Sequence, residues 1–112
     1  MKIDFTPYLT TLRKLCEVYH VQELYAFGST VRGNAQENSD VDIVVSFGEV
    51  DLYYYFDNYL NFRTELEVLF RRKVDLVESQ TIKNPFLKQS IEQNKLLLYG
   101  HANRQMATRH QE

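Results

Sequence analysis

Asp40 and Asp42 stand two residues apart at the head of the apolar run DVDIVVSF, and Asp75 sits in a second such run, RKVDLVE. Residues i and i+2 of a strand point to one face. Two carboxylates about 7 Å apart on that face repel each other, and a buried acid persists only with a charged or hydrogen-bonding partner. A third carboxylate on a parallel neighbouring strand, about 5 Å away, adds to the repulsion unless divalent cations sit among the three. Hard oxygen ligands of this kind suit Mg²⁺, which keeps its other positions for water and phosphate oxygens. Two ions so held clamp the attacking and leaving oxygens of a phosphoryl or nucleotidyl displacement.

The other half of such a site is Gly28-Ser29-Thr30. A glycine at a strand end, followed by serine at a helix start, lets backbone approach a phosphate closely. The first N–H groups of that turn and the Ser29 hydroxyl are placed to hold the triphosphate end of a nucleotide. Arg32, in the same turn, either touches phosphate or faces water.

The elements that position these residues follow from periodicity. Residues 6–20 read as an amphipathic helix with Thr6 as N-cap and Pro7 in its first turn, and Leu9, Leu12, Cys16 and Tyr19 on its apolar face. QELYAFG is a short strand ending at Gly28. STVRGNAQENS starts as a helical turn and becomes a loop through Gly33 and Asn38. DVDIVVSF is the central strand. Residues 51–70 form the longest helix, capped by Asp51, with Leu52, Phe56, Tyr59, Leu66, Leu69 and Phe70 on one stripe; Tyr55 falls toward the core, Tyr53 and Tyr54 toward solvent. RKVDLVE is a third strand, and Asn84-Pro85 opens a further helix. KLLLYG closes the ordered part as an extended segment. The fold class is α/β (α+β), a small mixed β-sheet flanked by helices. The long helix between the second and third strands predicts a crossover, so those strands run parallel, with Asp75 beside the start of the second.

A chain of 112 residues supports one core, expected over residues 1–100, with the polar, aperiodic stretch 101–112 as a tail. The net charge of −2 argues against a nucleic-acid binder. Cys16, the single cysteine, reads as a buried thiol, and a chain that cannot form an internal disulfide fits a reducing, cytoplasmic setting. No segment approaches the length of a membrane span. His20, His101 and His110 show no ligand spacing.

Gly28-Ser29, ten intervening residues and Asp40-Val41-Asp42, with the third acid in RRKVDLVE, resemble the signature of the DNA polymerase β-type nucleotidyltransferase superfamily. The likeness covers roughly residues 8–99 and is similar in particular to the minimal nucleotidyltransferase (MNT) family, short antitoxins paired with HEPN-domain toxins. It implies the minimal polymerase β-like fold and transfer of AMP from ATP to a hydroxyl, a tyrosine, of a HEPN toxin in a hetero-oligomer. Asp40 and Asp42 would be metal ligands. Asp75 would help hold the catalytic Mg²⁺ and act as base toward the acceptor. Gly28 and Ser29, with Thr30 and Arg32 beside them, would bind the nucleotide. Two positions depart from the pattern: Val31 replaces alanine, and Arg71 stands where the end of the long helix calls for glycine, which predicts a different helix exit.

Plainer readings exist for each residue. Asp40 and Asp42 can be an Asp-capped turn opening a strand. Asp75 can be an edge-strand acid paired with Arg72 or Lys73, with Glu78 as a rival third acid. Ser29 can be a helix cap, compatible with phosphate binding. At the level of function, the alternatives to the enzyme are a binding module that neutralises a toxin by contact alone and, disfavoured by size, a nucleotidyltransferase acting on small molecules.

Overall fold

The computed structural model describes residues 3–33 and 39–100. The polar stretch 101–112, with His101 and His110, and residues 34–38, within the expected loop, lie outside them. A 3₁₀ turn at Thr6–Tyr8 leads into α1 (Leu9–Val18), followed by β1 (Val21–Ala26), the short α2 (Ser29–Arg32), β2 (Val41–Phe47), α3 (Leu52–Phe70), β3 (Val74–Glu78), a second 3₁₀ turn (Ser79–Thr81), α4 (Pro85–Asn94) and β4 (Leu96–Tyr99). The four strands form one mixed sheet in the order β3-β2-β1-β4. β1 pairs antiparallel with β2 and with β4, and β2 and β3 are parallel, as the crossover through α3 requires.

The helix signals succeed where a side chain caps the turn. Asp51 accepts the Tyr53 N–H at 2.9 Å, and Asn84 accepts from Phe86 and Leu87 ahead of Pro85. Thr6 is not an N-cap: Pro7 follows it in a 3₁₀ turn, the α-helix starts at Leu9, and Asp4 Oδ1 accepts the Thr6 N–H at 3.0 Å. Leu9, expected on the buried face, is exposed.

Alternation sorts β2 into two faces. Val41, Ile43, Val45 and Phe47 join Leu24, Ala26, Val74 and Leu76 under α1 and α3, in a core completed by Leu12, Cys16, Phe62, Leu66 and Phe70. Phe62, Leu66 and Phe70 are the buried residues of α3, with Tyr55, Tyr59 and Leu69 partly buried against the same core. Leu52 and Phe56 drop out of the expected stripe, because Tyr55 already packs on Phe47, the last residue of β2, and the first turns of α3 overhang the sheet. The opposite face carries Tyr25, Phe27 and Val44, covered by Ile91 of α4. The Cys16 thiol lies in the main core, its pKa pushed up to about 12 by burial and then by Glu17, which leaves it inert at neutral pH.

Candidate active site

Strand register brings the acids together. In the parallel β2/β3 pair Asp42 lies directly opposite Asp75, and Val44 opposite Val77. In the antiparallel β1/β2 pair Tyr25 lies opposite Val44, and the Phe27 N–H donates to the Asp42 carbonyl at 3.0 Å. The face turned away from α1 and α3 therefore carries Phe27, Asp42 and Asp75 as one row across three strands, and Tyr25, Val44 and Val77 as the next. α4 covers the second row through Ile91. Asp75 and Asp40 are exposed and Asp42 is half-buried.

The Asp42 carboxyl has its pKa raised, first by burial, then by the charges of Asp75 and Asp40, against a smaller lowering by Arg32. Asp42 thus carries an unfavourable charge in the isolated chain, the condition that a cation relieves. Among the described residues no three acidic, histidine or cysteine side chains stand close enough to form a preformed metal site. The electrostatic coupling reaches further than such contact, since charges several Å apart still interact at a protein surface. The donor set fits Mg²⁺, which commonly uses one or two carboxylates and takes its other oxygens from water and phosphate.

Gly28 holds φ 67° and ψ −146° at the head of α2. A Cβ there would come within 2.7 Å of Asp42 Oδ2, so the position needs glycine both for its backbone and for its closeness to the acid. The Gly28 carbonyl accepts the Val31 and Arg32 N–H groups; the earlier N–H groups of a helical turn have no acceptor within it. Thr30 is buried, and its Oγ1 accepts the Asp42 N–H at 3.1 Å. Its side chain therefore ties α2 to β2. Ser29 is half-buried, and exposed Arg32 lies close enough to act on the Asp42 charge.

Sequence reasoning missed the residues that seat β3. The Glu67 carboxylate of α3 accepts the Val74 N–H at 3.0 Å, the Lys73 backbone carbonyl accepts the Val41 N–H at 2.9 Å, and Arg72 Nη1 donates to the Ser39 carbonyl at 3.3 Å. An acid beside buried Leu66 near a helix end was the available signal for Glu67. Arg71 takes the left-handed conformation, φ 57° and ψ 37°, that glycine would supply. The expected different exit is therefore not found: the chain turns as a glycine-ended helix does, and Asp75 arrives opposite Asp42. Glu78 lies three residues on, on the other face of β3, opposite Val45, too far along the strand to replace Asp75.

A glycine–serine turn thus lies against two register-matched aspartates on a small mixed sheet. Residues 10–103 match the family described as polymerase beta, nucleotidyltransferase. Protein adenylyltransferase MntA of Thermococcus cleftensis is 40% identical over 76 residues, covering 68% of this chain and 74% of that protein. A Methanocaldococcus jannaschii protein assigned as a candidate protein adenylyltransferase is 41% identical over 80 residues, covering 71% of this chain and 79% of that one. A solved candidate minimal nucleotidyltransferase superposes with a TM-score of 0.68 at 25% identity, over 82% of this chain and 90% of that chain. A chain of the Shewanella oneidensis complex between tri-AMPylated HEPN toxin and MNT antitoxin shares the fold, with a TM-score of 0.62 at 20% identity, over 93% of this chain and 79% of that chain. The chain belongs to the polymerase β-type nucleotidyltransferase family, in its minimal form. It is an enzyme of nucleotidyl transfer.

Proposed function

We propose that the chain transfers AMP from ATP to a tyrosine hydroxyl of a HEPN-domain partner, acting in the cytoplasm as its antitoxin within a hetero-oligomer. The observation that carries the chemistry is the register of Asp42 opposite Asp75 with Gly28 against the Asp42 carboxylate. The choice of a protein acceptor is supported by relatives named protein adenylyltransferases, and the HEPN partner by the complex that shares this fold.

In this reading Gly28, Ser29 and the backbone of Thr30 cradle the triphosphate, with Arg32 at its flank. Asp40, Asp42 and Asp75 would hold Mg²⁺, which when bound neutralises charge on the phosphates and the reacting oxygens. The acceptor oxygen attacks the α-phosphorus, the bond to the bridging α–β oxygen breaks, and pyrophosphate leaves. A tyrosine hydroxyl with an ordinary pKa of about 10 is protonated at neutral pH; in this reading Asp75, exposed at the sheet edge, takes its proton.

The alternative is an antitoxin that neutralises by binding, with catalysis vestigial. Mass spectrometry of the coexpressed HEPN partner separates the two. AMP on the partner with the wild-type chain, absent with Asp42→Asn, supports the enzyme; an unmodified but silenced partner supports the binder. Calorimetry adds a test of the metal: ATP affinity should vanish in EDTA, and undiminished affinity there would contradict ligation by these acids.

A further inference from the structure

Leu52, Tyr55, Phe56 and Tyr59 recur on α3 at the spacing of one helix face. Two members rest on the protein's own sheet: the Tyr55 ring meets Phe47 edge-on with centroids 5.6 Å apart, and the Tyr59 hydroxyl donates to the Leu76 carbonyl. The other two do not, for Leu52 is 87% and Phe56 67% exposed, with Tyr53 at 83% beside them. Large apolar side chains left uncovered beside the core at one end of a helix mark an interaction surface.

Beside the overhang, between α3 and the end of β3, lies a groove of about 410 Å³ whose lining includes Tyr55, Phe56, Tyr59, Leu76 and Glu78. The Tyr55 hydroxyl oxygen is buried and has no hydrogen-bond partner among the described residues. Such a group is destabilising until something bonds to it. The surroundings are anionic. Residues 33–62 contain no lysine or arginine, while Glu49, Asp51 and Asp57 are exposed around the start of α3, and Glu78 adds a carboxylate to the groove.

We propose that this end of α3 docks a partner protein through a segment whose apolar residues cover Leu52 and Phe56 and whose lysine or arginine enters the groove. The aliphatic stem of that side chain lies on Phe56 and Leu76, and its N–H groups donate to the Glu78 carboxylate and the Tyr55 hydroxyl oxygen. The acidic surroundings select a basic segment and speed its approach. The proposal rests on the reading that the chain acts on a protein, and it adds where that protein is held. Glu78 and Asp75 lie about 10 Å apart along β3, on opposite faces. Because β3 is an edge strand, a partner seated in the groove can extend along that edge to Asp75 while docking and transfer remain separable.

The test uses the purified chain and the HEPN-domain partner. Phe56→Ser and Glu78→Lys are each expected to weaken the complex at least tenfold, with melting temperature and Mg²⁺–ATP affinity unchanged. Glu78→Lys should also flatten the salt dependence of binding. Tyr55→Phe should weaken the complex without lowering the stability of the free chain. Unchanged affinity in both Phe56→Ser and Glu78→Lys, with AMP transfer intact, overturns the docking face and leaves the proposed function standing. Weakened binding in a pair that shows no AMP transfer keeps the docking face and overturns the proposed function. If ultracentrifugation shows that the chain self-associates and Phe56→Ser abolishes this, the occupant is a second copy and the proposal fails.

Discussion

The two faces of β2 differ by one residue of alternation. Val41, Ile43 and Val45 point into a dry core, wholly buried beneath α1 and α3. Asp42, between the first two, points the other way, onto a face that α4 covers only from the second row onward. On the first face aromatic rings such as Phe47 and Phe62 meet edge-on with centroids 6.0 Å apart; on the second, like charges are crowded until one carboxyl is raised. One face holds the strand in place with enough burial to tolerate repulsion on the other. The contrast matches the general observation that sites carry unfavourable local energy sustained by the surrounding structure.

If that division is right, changes on the open face should remove activity without unfolding the chain. Asp75→Asn, nearly isosteric, is expected to slow AMP transfer by about 10²–10⁴-fold while partner binding survives; full protection from the toxin by this variant at equal expression would transfer the function to binding alone. Changes on the closed face should do the reverse. Phe62→Ala is expected to destabilise by about 3–5 kcal/mol, read as a lower denaturation midpoint, and a smaller effect would mean that α3 is held by other contacts. A subtler case is Asp42→Asn in metal-free buffer. Because the folded-state pKa of Asp42 is raised, the folded chain holds this proton more tightly than the unfolded one. Its ionisation thus costs stability increasingly as pH rises from the ordinary aspartate value of about 4 through the raised one. The variant should melt higher than the parent at pH 7, and the gain should fade as pH falls through that window. A lower melting temperature at pH 7 would give Asp42 a structural role. The smallest effect is expected at Arg71, exposed and left-handed at the end of α3. Arg71→Gly should gain up to about 1 kcal/mol with transfer unchanged, and a loss would show that the arginine side chain holds something.

The chain announces its elements through local physics. Alternating apolar residues marked β2 and β3, Asp51 and Asn84 marked helix starts because their side chains reach N–H groups two or three residues on, and the length of α3 required a parallel crossover. The residue types at Gly28-Ser29 and at Asp40 and Asp42 pointed to phosphate chemistry, and their spacing resembled a known family signature. Each of these is legible because the interaction spans few residues or is forced by chain connectivity. The tertiary structure alone decided the rest. It fixed the exact register that sets Asp75, already expected near the start of β2, directly opposite Asp42, placed Gly28 within a methyl's reach of the Asp42 carboxylate, and tied the Thr30 hydroxyl to the Asp42 N–H. It also exposed Leu52 and Phe56 while burying Phe62, since helical spacing fixes which residues share a stripe and not how far the sheet beneath it extends. These outcomes depend on where separate elements end in space, a quantity that no local spacing encodes.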